Sequence, residues 1–209
     1  MAVQNNQVNQ HFPGKFNPSS IAQGRQELAR INQVFWQDPN VAAKIEQSIQ
    51  VMAACLANGG RILACGNGGS MCDAMHFAEE LSGRFKNDRP PLAALAISDP
   101  AYLSCTANDY GYEQVFARQV QAFGQAGDVL LAISTSGNSP NVLKAVSAAQ
   151  AHKMTVIALT GKEGGQLKDC SEISLVVPSF FTSHIQETHI QLIHLFIEGI
   201  EQCLFPANN

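Results

Sequence analysis

From residue 61 onward, short apolar runs alternate with helical segments along the rest of the chain. The runs are Arg61–Cys65, Leu92–Ile97, Val129–Ser134, Thr155–Thr160 and Ile173–Val177. Apolar strands separated by helices need crossover connections, so this pattern predicts a parallel five-stranded sheet with helices on both faces, joined by right-handed crossovers. The expected architecture is α/β, a three-layer doubly wound sheet. Two helices precede it. Ile21, Leu28, Ile31, Val34 and Phe35 recur at helical spacing up to Trp36, and Asp38-Pro39 then supplies an N-cap and first-turn proline for a helix running to about Leu56, stopped by Asn58-Gly59-Gly60. A long helix is expected from Ser183 to Leu204. Residues 1–19, rich in Asn and Gln with Pro13, Gly14 and Pro18, show no helical or strand period and read as a flexible N-terminal arm. No interior linker breaks residues 20–209, which are expected to form a single domain including the N-terminal helical hairpin.

Charge narrows the partners. Asp, Glu, Lys and Arg make up only 14% of the 209 residues and the net charge is −4, which argues against the dense basic footprint that nucleic acid requires. So neutral a chain leaves polar uncharged residues, or other subunits, to cover its exterior. No apolar run reaches the ~18 residues needed to cross a bilayer, and the N-terminus lacks a charged start followed by an apolar stretch. The six cysteines include no C-x-x-C pair, and most lie in apolar stretches, which suggests free buried thiols in a reducing compartment. A cytoplasmic location is expected, with neither membrane nor nucleic acid as partner.

In a doubly wound sheet, ligands bind beyond the C-terminal strand ends. Two loops there stand out. Gly66-Asn67-Gly68-Gly69-Ser70 opens a helix whose N-terminal amides favour an anion. A dinucleotide fingerprint would need a glycine at Met71, and no Gly-Lys-Ser/Thr follows, so NAD and ATP lose ground; the alternative is a plain strand-to-helix turn. Ser134-Thr135-Ser136-Gly137-Asn138-Ser139 offers four hydroxyls before Pro140 opens another helix, a cradle for a phosphate or sugar phosphate. Ser139 alone also fits a simple N-cap.

Acid–base candidates sit on two helices. Asp73, His76 and Glu80 share one face of the first, and the i, i+4 pair His76 and Glu80 suits a metal or an imidazole beside a carboxylate. The alternative is a solvated helix face. On the last helix Gln186 and His194 stand two turns apart and about 80° around the axis, so both reach one cavity of some width. His184, His189 and His194 crowd this apolar helix, where a lone histidine would ordinarily be a satisfied core residue.

Those segments, with Ala96-Ile97-Ser98-Asp99, Asn108-Asp109, Leu159-Thr160-Gly161-Lys162 and Ile185-Gln186-Glu187-x-His189, closely resemble the bacterial phosphoheptose isomerases, single-domain members of the sugar-isomerase (SIS) family, over about Ile21 to Leu204. The resemblance implies an aldose–ketose isomerase acting on sedoheptulose 7-phosphate and D-glycero-D-manno-heptose 7-phosphate, the first step toward the ADP-heptose of lipopolysaccharide. It also implies a homotetramer with active sites at subunit interfaces. By the same resemblance Glu80 and His194 are catalytic. Asn67, Gly68, Gly69, Ser70, Asp99, Asn108, Asp109, Ser134, Thr135, Ser136, Ser139 and Gln186 bind substrate, and His76, Glu80, Gln186 and His194 hold one Zn2+ per subunit. Ser183 departs from the family, which often has an acidic residue there. The alternative function is a non-catalytic SIS scaffold that binds the replication initiator, which the tail Leu204-Phe205-Pro206 also resembles; that scaffold lacks the counterparts of Glu80 and His194.

Overall fold

The computed structural model describes residues 17–206, so most of the arm expected over 1–19 lies outside the described residues. Five parallel strands, β1 (Ile62–Gly66), β2 (Ala94–Ala96), β3 (Val129–Ser134), β4 (Thr155–Gly161) and β5 (Ile173–Val177), form one sheet in the order β2-β1-β3-β4-β5. The helices are α1 (Ser19–Val34), α2 (Pro39–Ala57), α3 (Gly69–Ser82), α4 (Pro100–Tyr110), α5 (Ala117–Phe123), α6 (Pro140–Ala151), α7 (Gly165–Asp169) and α8 (Thr182–Leu204).

Side chains alternate along each strand and build two cores. Ile62, Ala64, Leu131, Ile133, Ile157 and Leu159 face α1, α2, α3 and α8, through Phe35, Met52, Phe77 and Phe196. Leu63, Cys65, Leu130, Ala132, Val156 and Ala158 face α5, α6 and α7. A strand buried on both faces must be apolar throughout, which is why these runs read as continuous rather than alternating.

Local chemistry sets the ends. Asp38 Oδ1 accepts from Asn40 N at 2.8 Å with Pro39 following, and Gly59 takes φ +77° where α2 stops. Strand β2 is shorter than the expected Leu92–Ile97 and pairs with β1 alone, from Ile62↔Ala94 to Ala64↔Ala96. Helix α4 opens on another Asp-Pro pair: Asp99 Oδ1 accepts from Tyr102 N at 2.7 Å. All six cysteines are unpaired, but only Cys55 and Cys65 are buried; Cys72, Cys105 and Cys203 are exposed. Their apolar flanks lie on helix faces whose other side meets solvent. Among the described residues no helix is long and apolar enough to cross a membrane.

From β1 the chain steps outward to β2 and then returns to the other side of β1 to form β3. The topological switch therefore falls between β1 and β3, and the two loops singled out above follow those strands.

Candidate active site

Pairing of β1 with β3 brings the glycine loop against the start of α6. Asn67 and Asn141 exchange two amide hydrogen bonds, each 2.8 Å, and the Tyr112 hydroxyl donates to Asn67 Oδ1 at 3.2 Å. Asn141 is buried and also accepts from Val142 N. Neither Asn141 nor Tyr112 carries a sequence signal by itself, since their role exists only once β1 and β3 are neighbours. Gly68 precedes α3 at φ +56° and Ser70 is buried beneath the loop.

The hydroxyl loop folds onto itself. Ser134 Oγ lies 3.0 Å from Ser139 Oγ and 3.5 Å from Ser136 Oγ, while Ser136 Oγ accepts from Asn138 N. Ser139 occupies the N-cap position of α6, but its hydroxyl turns to Ser134 and makes no side-chain cap. The N-terminus of α6 therefore has no hydroxyl folded over it, and the simple-cap alternative does not account for Ser139. Gly137, at φ +65°, is closed in by Gly164 and Thr160, and its carbonyl accepts from Leu167 N at 2.9 Å. Thr135 is half-buried in the same loop.

The acid–base cluster forms where α3 crosses α8. His76 Nε2 lies 3.1 Å from His194 Nε2 and 3.4 Å from Glu80 Oε1. Glu79 Oε1 is 3.9 Å from Nδ1, on the other side of the His76 ring, and is largely exposed. Phe85 stacks on the His194 ring with centroids 5.8 Å apart, so the imidazole is held between a phenyl face and the edge of His76. The i, i+4 spacing made His76 and Glu80 legible together; the meeting with His194, 118 residues beyond His76, required the fold.

Gln186 faces the same part of α3. A Cβ on Gly69 would stand 2.3 Å from its Nε2, so the amide occupies the space that this glycine leaves open. Gly69, Asp73, His76, Ser183 and Gln186 line one pocket. Burial pushes the Asp73 carboxyl up to about 6, and its Oδ2 has no hydrogen-bond partner among the described residues. Ser183 thus faces the same pocket as the Asp73 carboxylate of α3.

The remaining positions are placed differently. Asp99 caps α4, and Asn108 donates to Asp109 Oδ1 at 2.8 Å on the exposed C-terminal turn of that helix, one turn before Tyr112. The second histidine of α8, His189, is a core residue: it is fully buried and donates from Nε2 to Thr160 O at 3.1 Å, and burial lowers it to about 4.

The SIS domain family matches residues 28–161. A phosphoheptose isomerase of Aeromonas hydrophila subsp. hydrophila is 51% identical over 177 residues, spanning 84% of this chain and 92% of that protein. The solved phosphoheptose isomerase of Neisseria gonorrhoeae superposes with a TM-score of 0.81 at 44% identity, covering 87% of this chain and 98% of its own. That of Francisella tularensis does so at 0.79 and 40% identity, covering 88% and 95%.

Proposed function

This chain belongs to the SIS-domain family, among its phosphoheptose isomerases, and we propose that it interconverts sedoheptulose 7-phosphate and D-glycero-D-manno-heptose 7-phosphate through an enediolate, opening the route to the ADP-heptose of lipopolysaccharide. The observation that most supports the site assignment is the meeting of His76, Glu80 and His194 within 3.1 and 3.4 Å, on helices that flank the glycine loop.

The chemistry divides between two places. The phosphate sits among Ser134, Thr135, Ser136 and Ser139 with Ser70, where hydroxyl donors and the N-terminus of α6 favour an anion. Asn67, Gly68, Gly69, Asp99, Asn108, Asp109 and Gln186 hold the sugar. Glu80 removes the proton from the carbon beside the carbonyl and returns it to the neighbouring carbon. His194 moves the second proton between the two oxygens. With its imidazole stacked on Phe85 it has a fixed orientation for that transfer.

The donor set fits a zinc ion. Bonds of about 2.0 Å in a tetrahedral site place ligand atoms about 3.3 Å apart, and the His76–His194 and His76–Glu80 separations of 3.1 and 3.4 Å bracket that value. His76, Glu80, Gln186 and His194 would hold one Zn2+ per subunit, which when bound polarises the substrate carbonyl and stabilises the enediolate. Two imidazole Nε2 atoms facing each other need a shared proton or a shared cation.

A homotetramer with active sites at subunit contacts accounts for a charged content of 14% alongside exposed Phe180, Phe181, Leu195 and Tyr112, because interface cores are poor in charge. The residues from 20 to 209 act as one domain, in the cytoplasm. The scaffold alternative is not favoured, since the relatives matched over most of the chain are named as isomerases.

Purified protein should isomerise sedoheptulose 7-phosphate, and Glu80→Gln or His194→Gln should lose at least ~10²-fold in kcat, the scale of general acid–base catalysis, with an unchanged sedimentation coefficient. An active Glu80→Gln enzyme refutes Glu80 as the base. A wild type that binds the initiator without isomerising sugar establishes the scaffold instead, and the metal content of an unchelated preparation decides the zinc assignment.

A further inference from the structure

The last turn of α3, which carries Glu80, ends at Ser82 in an exposed loop, and a helix end leaves its final carbonyls without helical partners. Arg89 meets them. Its Nη2 donates to Glu80 O at 2.7 Å, its Nη1 to Leu81 O at 2.6 Å and to Gly83 O at 3.2 Å, and its Nε to Glu201 Oε1 of α8 at 2.8 Å. Both side chains are buried, Arg89 at 1% and Glu201 at 6% exposure. Glu201 follows His194 by seven residues, which on a helix leaves the two side chains about 20° apart and on one face. One guanidinium thus joins the backbone of Glu80 to the helix face that presents His194.

We propose that Arg89 is a positioning residue for the isomerase site: it clamps the last turn of α3 to α8 and so sets the separation of Glu80 and His76 from His194. The inference rests on the isomerase reading above. Stability alone is a poor account of this pair, because replacing a buried ion pair by apolar side chains is often neutral or stabilising. Geometry is a better one. A planar fork serves several acceptors in fixed directions, whereas a lysine ammonium is a point charge on a flexible stem; Arg89→Lys keeps the charge and loses the clamp.

Full-length Arg89→Lys, Glu201→Gln and the charge-free double variant Arg89→Met/Glu201→Leu are compared with wild type at a temperature where circular dichroism shows each to be folded. The expected result for Arg89→Lys is a fall in kcat of about 10- to 100-fold, the cost usual for residues that orient a site's ligands, with KM for sedoheptulose 7-phosphate within about twofold because the hydroxyl loop 134–139 lies on other elements and Ser70 stands at the far end of α3 from the clamp. Glu201→Gln still accepts from Nε and keeps kcat within about threefold. The double variant, which leaves no unpaired buried charge if Arg89→Lys fails to fold, loses kcat as Arg89→Lys does. Hydrogen exchange at residues 80–83 speeds up in Arg89→Lys and in the double variant while β3 and β4 stay protected. Full kcat in either clamp-less variant overturns the proposal, as does faster exchange spread evenly over the chain. A wild type without isomerase activity refutes the isomerase reading, and the exchange comparison then still decides whether the clamp exists.

Discussion

Gly69→Ala separates the site from the fold. Gly69 is the first residue of α3 and its φ lies outside the left-handed region, so an alanine meets no backbone strain there. What it meets is Gln186, with Nε2 at 2.3 Å and Cδ and Oε1 at 2.7 Å from the new methyl carbon. An ordinary contact is about 3.5 Å, so the amide must retreat by about 1.2 Å. That movement happens at the end of a flexible, half-buried side chain, and the fold absorbs it cheaply. Helix propensity favours alanine by up to about 1 kcal/mol within a helix and by less in a first turn, so Tm should shift by no more than about 4 °C. Activity responds otherwise. A displacement of about 1 Å in a positioning group can cost ~10²-fold, equivalent to about 2.7 kcal/mol of transition-state stabilisation. Following conversion of sedoheptulose 7-phosphate by NMR, alongside a thermal melt, gives both quantities. Wild-type kcat/KM in the alanine variant would refute the placement of Gln186 at the reacting end of the sugar; a collapse of Tm in step with activity would refute the claim that the perturbation is local.

Gly137→Ala is the opposite case. Its φ of +65° already costs a side chain about 1–2 kcal/mol, and the methyl would stand 1.8 Å from the Gly164 carbonyl oxygen, which is backbone and cannot swing aside. Tm should fall by at least about 4 °C; an unchanged melt would show that the 134–139 loop is not held against 164. His189→Gln tests a pH dependence. The folded pKa of His189, about 4, lies below its ordinary 6.5, so the folded state takes up this proton less readily than the unfolded chain does. Its contribution to stability is complete above about pH 6.5 and is lost progressively down to about pH 4. Glutamine keeps a donor for Thr160 O but cannot be protonated, so the Tm difference between variant and wild type should move in the variant's favour as pH falls through that window. A constant difference from pH 7 to pH 4 would refute this.

How legible each part was follows from how local its cause is. The strands are visible because both faces of the sheet are covered, leaving Ile62–Cys65 and Val129–Ile133 apolar at every position. Helix α2 is visible because its cap is local, Asp38 to Asn40. The Asp99-Pro100 pair caps α4 in the same local way, with Asp99 accepting from Tyr102 N, although the family resemblance placed Asp99 only at the sugar. In the site, His76 with Glu80 is one helical turn and could be read directly. The Asn67–Asn141 exchange, the Phe85 stack on His194 and the buried Arg89–Glu201 pair join residues from separate elements, and nothing in local spacing encodes which helix will cross which.

The glycine loop shows where both kinds of information meet. From sequence its glycines suit either backbone approach to an anion or a plain strand-to-helix turn. In the fold the same loop contacts both halves of the site: Asn67 is tied to Asn141 in the first turn of α6, beside the hydroxyl cluster, and Gly69 yields its space to Gln186 of α8. A single turn of chain therefore spans from the end of the site that suits a phosphate to the end that suits proton transfer. A site that binds a sugar phosphate at one end and reacts at the other needs its two ends held in register. Positions 67 to 69 have that geometry, with a side-chain amide pair anchoring one end and a missing side chain making room for Gln186 at the other. The missing side chain at 69 thus serves helix–loop packing, and an alanine there should displace Gln186 without breaking the Asn67–Asn141 anchor.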